Sequence, residues 1–141
     1  MDFRHIDRLT IWAGIVATAL VASLLAVLGV IATRGLLGVD IIYPRGGQAF
    51  QDTTPYQLTF AATVGAVAAG VLVQLLMYVT PRPLLFFGLI SMLATAVLVV
   101  WPFTTAAVML SRVATSVVHL ALGVAISTLT TTVARHSWFP L

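Results

Sequence analysis

Cysteine, lysine and glutamate are all missing from this chain of 141 residues. Without cysteine the chain can have no disulfide, no thiolate nucleophile and no cysteine-ligated metal or iron–sulfur centre. Its seven basic residues are therefore all arginine, and its four acidic residues are all aspartate. The aspartates all lie outside the long apolar runs, which argues against a proton-coupled exporter driven by a carboxylate in the membrane.

Charge of either sign is scarce, since charged residues make up only 8% of the sequence. A soluble domain typically carries about a quarter charged residues, so this chain lacks the charges needed to cover a water-facing surface. Hydrophobic residues make up 60% of the chain, and the mean hydropathy is +1.09. A lipid-facing surface needs no charges, and the composition therefore indicates an integral membrane protein surrounded by the lipid bilayer.

Long apolar runs account for most of the sequence. A transmembrane helix needs about 20 apolar residues, and four runs are long enough to cross the membrane. Gly and Pro cluster between the first two runs, which predicts an outer loop over residues 34–56. We therefore predict an all-α fold, an integral membrane four-helix bundle that forms a single domain over residues 1–141. The predicted spans cover about residues 9–33, 57–79, 84–101 and 105–132.

Arginine is distributed unevenly between the two sides of the predicted bundle. Four spans place both termini and the turn at 80–83 on one side, which holds more arginines than the other. Basic residues concentrate on the cytoplasmic side of membrane proteins. The bias predicts a plasma-membrane protein with its N- and C-termini in the cytoplasm. The arginines counted are Arg4, Arg8, Arg82 and Arg135 on the first side, and Arg34 and Arg45 on the second.

Arg112 and His119 are the only basic side chains inside the predicted spans. Their separation is close to two turns of an α-helix, so both project from one face together with Thr115 and Ser116. Measured from Thr104, Arg112 lies about 12 Å along the helix and His119 about 22 Å. Polar groups are costly in hydrocarbon and usually face a bundle interior, a cavity or a partner. This face is therefore the main candidate site.

Two structural interpretations of these side chains require no ligand. Arg112 can extend toward the outer surface or pair with Asp40 or Asp52 of the outer loop. His119 can stay neutral and form a hydrogen bond with a neighbouring helix. The functional alternatives are an anion or headgroup contact at Arg112 and a proton relay at His119. The candidate hydrogen-bond partners of His119 are Gln74, Ser91 and Thr95.

The second predicted span carries small residues at a spacing of four. They form two adjacent rows, and small residues let the backbone of a neighbouring helix approach closely. We therefore expect this side of the span to pack against another helix. The first row is Ala61, Gly65 and Ala69, and the second is Ala62, Ala66 and Gly70.

The signatures of common enzymes are missing from the sequence. It contains neither G-x-S-x-G nor H-E-x-x-H, the motifs of a large hydrolase class and of zinc peptidases, and we do not expect enzymatic activity. His119 lacks a second histidine at its depth in the membrane, so no metal and no other cofactor is predicted. The arginines are scattered and lack interleaved aromatic residues, which argues against nucleic acid as a partner.

Two short motifs resemble a known family. They are Thr80-Pro81-Arg82-Pro83, before the third span, and the stretch from Arg112 to Leu120 in the fourth. Together with the length of the chain, these motifs make it similar to a family of small four-span actinobacterial membrane proteins that carries a domain-of-unknown-function label. The resemblance covers nearly the whole chain and implies a four-helix membrane fold and an actinobacterial source. It implies no activity and assigns no functional residues.

These observations support three functional hypotheses. The first is a non-catalytic accessory subunit or homo-oligomer that packs against another membrane protein through the second span. The second is a small transporter or channel in which Arg112 and His119 line a path for an anion or a proton. The third is a lipid-binding protein in which Arg112 meets a headgroup. The first is favoured, because the spans hold no carboxylate and few polar residues outside the fourth.

Overall fold

A computed structural model of the protein describes residues 8–45, 48–50 and 55–138. In this part of the chain, four helices are long and apolar enough to cross a membrane, and the predicted all-α four-helix membrane fold is confirmed. Of the residues given roles from the sequence, Arg4 and Asp52 lie outside the described residues. The helices are α1 (Arg8–Ala32), α2 (Pro55–Val79), α3 (Pro83–Val100) and α4 (Met109–Trp138).

The connection between α1 and α2 has a structure of its own. The end of α1 continues as a π-helical segment, Thr33–Leu37, which ends at Gly38 with a φ of 63°. Glycine suits this left-handed conformation because it has no Cβ to clash with the backbone. An antiparallel hairpin of two short strands follows, β1 (Tyr43–Arg45) and β2 (Gln48–Phe50). We call this end of the bundle the hairpin end, and the opposite end, where α4 finishes, the terminal end.

The fourth helix begins later than the sequence predicted. A 3-10 turn, Trp101–Thr104, follows α3, and α4 starts at Met109 rather than near residue 105. Pro102 has no N–H to continue a helical ladder, and Thr105 is extended, with its backbone N–H donating to the carbonyl of Pro102. Arg112 therefore lies only about 5 Å from the start of α4 and His119 about 15 Å. Both are shallower in the helix than expected.

The main core lies where α1, α2 and α4 meet. Small side chains, such as Ala26 of α1 and Ala66 of α2, form most of it, and they allow the helix backbones to approach closely. Ile41, from the connection between α1 and β1, inserts into the same core and is 1% exposed. The connection that the sequence predicted as an outer loop is therefore part of the packed structure.

The third helix is the most peripheral of the four. Only 6% of the residues in its most apolar stretch are buried, against 22–33% for the other three helices. Its buried residues are Pro83 and Phe87, and Phe87 packs at the terminal end with Val73 and Ala134. Farther along, an open groove separates α3 from α4.

Candidate functional site

Thr115 of α4 joins the bundle to the connection between α1 and β1. Its side chain is buried, and its Oγ1 accepts a hydrogen bond of 3.0 Å from the backbone N–H of Ile42. The same hydroxyl donates to the carbonyl of Ser111 one turn earlier, at 2.7 Å. The donor and acceptor capacity of the hydroxyl is thereby used within the protein. Thr115, one of the candidate site residues, has a structural role.

Ser116 makes the equivalent connection to α3. Its Oγ lies 2.7 Å from the carbonyl oxygen of Val99 and 2.9 Å from that of Arg112. The last carbonyl groups of a helix have no partner within the helix, and Val99 is next to the end of α3. The Ser116 hydroxyl therefore supplies a hydrogen bond where the α3 backbone needs one, and fixes the hairpin end of α3 against α4.

Arg112 and His119 lie on the face of α4 between Thr115 and Ser116. At 3.6 residues per turn, both fall between Thr115 and Ser116 around the axis of α4. Nε of Arg112 and Nδ1 of His119 are buried, and neither has a hydrogen-bond partner among the described residues. Buried polar atoms without a partner are uncommon and call for an explanation such as a water, an ion or a functional role. The two side chains therefore remain the best polar site at the hairpin end.

The expected partner of Arg112 is engaged elsewhere. Asp40 forms a salt bridge with Arg34, with 2.8 Å between Nε and Oδ1. The left-handed turn at Gly38 brings these two neighbours in the sequence together. Pairing of Arg112 with Asp40, one of the interpretations left open by the sequence, is therefore not found. The other possible partner, Asp52, lies outside the described residues.

The structure also separates His119 from its proposed partners. Gln74 lines a small cavity next to Thr130, which lies about 16 Å beyond His119 along α4. Ser91 donates to the carbonyl of Gly88 in its own helix, at 3.1 Å. Thr95 comes nearer, because it contacts Gly123, one turn beyond His119. None of the three forms a hydrogen bond with His119 in the part of the chain that the structure describes.

The small-residue rows of α2 lie next to other helices of the same chain. Ala62, Ala66 and Gly70 are buried, and a Cβ added at Gly70 would stand 2.5 Å from Cγ1 of Ile15 in α1. This row therefore gives α1 its close approach. The other row, Ala61, Gly65 and Ala69, is half-buried or exposed and borders α4, with Ile126 at 4.0 Å from a Cβ added at Gly65.

A groove of about 770 Å³ between α3 and α4 opens sideways from the bundle. Its lining changes along its length, from Arg135 at the terminal end, through hydroxyl side chains, to apolar side chains toward the hairpin end. The sequence signal for it is the run of residues 127–132, in which Leu129 is the only residue without a hydroxyl. The hydroxyl residues that line it are Ser91 and Thr95 from α3 and Ser127, Thr128, Thr131 and Thr132 from α4.

Most hydroxyl groups of the groove donate to their own helix. Thr128, Thr131 and Thr132 each donate to the carbonyl four residues earlier, at 2.7–2.8 Å. Such bonds satisfy the O–H and leave the oxygen free to accept. The hydroxyl groups of Ser127 and Thr95 have no hydrogen bond among the described residues. The groove is therefore mildly polar without being charged, except at Arg135.

A second pocket adjoins the groove at the terminal end. It has a volume of about 230 Å³ and lies between the last turn of α2, the first turn of α3 and the last turns of α4. Arg82 and Arg135 both line it, and Arg135 also lines the groove. Two basic side chains thus line this pocket, and one of them, Arg135, is shared with the groove. No group of three metal-ligating side chains is found among the described residues.

Among the described residues, four helices that are long and apolar enough to cross a membrane indicate a small membrane protein. The chain belongs to DUF6069, a family of unknown function, whose match covers residues 7–136. The resemblance to a four-span family of unknown function is therefore confirmed, whereas an actinobacterial source stays a prediction. No curated protein and no solved structure matches the chain.

Proposed function

We propose that this protein is a non-catalytic lipid-binding membrane protein that holds a lipid chain in the groove between α3 and α4. The observation that carries the proposal is the graded lining of the groove, which passes from charge through hydroxyl groups to hydrocarbon. A phospholipid has the same order of groups from its head to its chain ends. Because, among the described residues, only α3 and α4 line the groove, we expect a lipid to enter it from the surrounding bilayer.

The dimensions of the groove fit this occupant. Its lining on α4 extends from Arg135 to Leu120, which is about 22 Å along the helix. One leaflet contributes about 15 Å to the hydrocarbon core. The groove is therefore long enough to hold a chain that starts at the terminal end and reaches the middle of the bilayer. Its volume of about 770 Å³ lies within the range of small-molecule pockets.

A partner helix has less support than a lipid. The accessory-subunit hypothesis depended on both small-residue rows of α2. One row, Ala62, Ala66 and Gly70, already packs against α1. The other row, with Gly65, borders α4. The outward side of α3 carries exposed apolar residues such as Leu89 and Leu93, which suit acyl chains as well as another protein. We further propose, from the arginine bias, that the protein resides in the plasma membrane with the terminal end on the cytoplasmic side.

Filling the groove tests the proposal. Ala96 is exposed and lines the apolar half of the groove, so Ala96→Trp should reduce the amount of co-purified lipid at least about tenfold, which corresponds to about 1.4 kcal/mol. The measurement is native mass spectrometry of protein extracted in a mild detergent. Ala17→Trp, on the exposed side of α1, is the matched control and should keep the wild-type level. Equal lipid retention by the two variants, or none by the wild type, contradicts the proposal.

A second candidate function is passage of a small anion past Arg112 and His119. It is favoured by the two buried nitrogen atoms that have no partner among the described residues. On this hypothesis, proteoliposomes should release chloride faster than protein-free vesicles, and Arg112→Gln should slow the protein-dependent release at least about tenfold, or about 1.4 kcal/mol. Arg82→Gln, exposed at the terminal end, should leave release unchanged. Release that is the same with and without the protein excludes this candidate.

A further inference from the structure

We infer that the lipid is an anionic phospholipid, with its phosphate held by Arg82 and Arg135 and one acyl chain lying in the groove between α3 and α4. The inference rests on the proposed function and adds the class of headgroup and the direction of the bound lipid. The main observation behind the inference is that Arg135 lines both the groove and the second pocket at the terminal end. A phosphate bound by Arg135 would therefore lie next to the groove that holds the chain.

The charge at the terminal end favours an anion. Both arginines are exposed, and neither forms an ion pair among the described residues. The sequence from residue 53 onward contains no Asp or Glu, so no carboxylate of α2, α3 or α4 competes for them. Arginine binds phosphate with two parallel hydrogen bonds. Two arginines that line one pocket are therefore suited to a phosphodiester with a net negative charge.

The hydroxyl groups below Arg135 continue the polar part of the lining along α4. Ser127 lies about 12 Å along α4 from Arg135, and its hydroxyl has no hydrogen bond among the residues that the structure describes. Beyond it, Val124 and Leu120 from α4 and Val99 from α3 make the lining apolar. The polarity of the wall thus falls in the direction in which a phospholipid becomes hydrocarbon.

The side of the membrane supports the same headgroup class. The arginine bias places the terminal end at the cytoplasmic leaflet, and anionic lipids are concentrated there. Basic pockets between transmembrane helices on that side are known to hold anionic headgroups. A lipid bound at this position would have a fixed orientation in the groove, because its acyl chain can enter only from the leaflet that carries the headgroup.

The test compares phosphatidylglycerol with phosphatidylcholine of the same acyl chains, bound to full-length protein from mixed micelles and detected by native mass spectrometry. The wild type should prefer phosphatidylglycerol, and Arg82→Gln and Arg135→Gln should each reduce the preference about fivefold. The double variant should bind both lipids equally. Arg34→Gln, which removes the same charge at the hairpin end, is the control and should keep the preference.

The outcomes separate this inference from the proposed function. A preference that persists in the double variant overturns the arginine site but leaves chain binding in the groove intact. Loss of both lipids in Ala96→Trp, together with loss of the preference alone in the arginine variants, supports both. Displacement of the lipid by millimolar inorganic phosphate overturns the inference, because it would indicate a site for the free anion. A lipid-free dimer with the groove covered by a second copy overturns both.

Discussion

Thr115→Val is expected to lower the free energy of unfolding by about 1–3 kcal/mol. Valine has nearly the shape of threonine, so packing is kept while the acceptor for the backbone N–H of Ile42 is lost. Thr115 and Ile42 are both 0% exposed, and water cannot replace the hydroxyl without opening the bundle. The unpaired N–H of Ile42 would therefore lose its hydration without gaining a hydrogen bond. The change in the free energy of unfolding is measured by unfolding the protein in mixed micelles and following its helical circular dichroism.

The comparison variant for this experiment is Thr128→Val. The Thr128 hydroxyl is exposed and donates only to carbonyl groups of its own helix, so its loss should change stability by less than about 0.5 kcal/mol. A second measurement is amide hydrogen exchange at Ile42, which should accelerate in Thr115→Val alone. If the two valine variants lose the same stability, the contact between Thr115 and Ile42 does not hold the connection in place.

The helices themselves are largely predictable from the sequence, because the length of an apolar run is a local property. Pro83 as the first residue of α3 follows equally directly from the fixed φ and missing N–H of proline. The start of α4 was harder to predict, since apolar residues continue through residues 106–110 without interruption. There the 3-10 turn around Pro102 decides where the helix begins, and hydropathy does not record such a turn.

The contacts of the polar residues depend on geometry that the sequence pattern does not contain. Asp40 pairs with Arg34 because the chain turns at Gly38, whereas charge and side of the membrane alone allowed Arg112 as well. Likewise, periodicity placed Thr115 on the same helix face as Arg112, but its partner is a backbone N–H from the connection before β1. Long-range backbone partners of this kind become visible only once the chain is folded.

The groove illustrates the same limit on a larger scale. The hydroxyl-rich stretch at residues 127–132 is evident in the sequence, and hydroxyl groups in a membrane helix can face lipid, another helix or a cavity. The separation between α3 and α4 decides among these. Thr95 touches Gly123, so the helices are close at that level, while the groove remains open beside it. Gly123, which has no side chain, thus leaves room for Thr95 at this level.

Gly70→Val is the second substitution with a large expected effect, a loss of about 1–3 kcal/mol in the free energy of unfolding. A Cβ at this position would stand 2.5 Å from Cγ1 and 2.8 Å from Cδ1 of Ile15. Ile15 is branched at Cβ and has one strongly preferred χ1 rotamer in a helix, so moving Cγ1 and Cδ1 away by a change of rotamer is costly. The backbones of α1 and α2 must therefore separate, which also disturbs the packing of Ala22 and Ala66.

The steric origin of this loss can be tested with a double-mutant cycle. In an Ile15→Ala background the branched side chain is gone, so Gly70→Val should cost at least about 1 kcal/mol less than in the wild type. Gly88→Val is the control, because a Cβ at Gly88 meets nothing within 4 Å. It should leave helix packing unchanged, and its small effect reports the helix propensity of valine. Strict additivity of the Ile15 and Gly70 substitutions would falsify the assignment of Gly70 to the contact between α1 and α2, because a clash between two side chains must disappear when either one is removed.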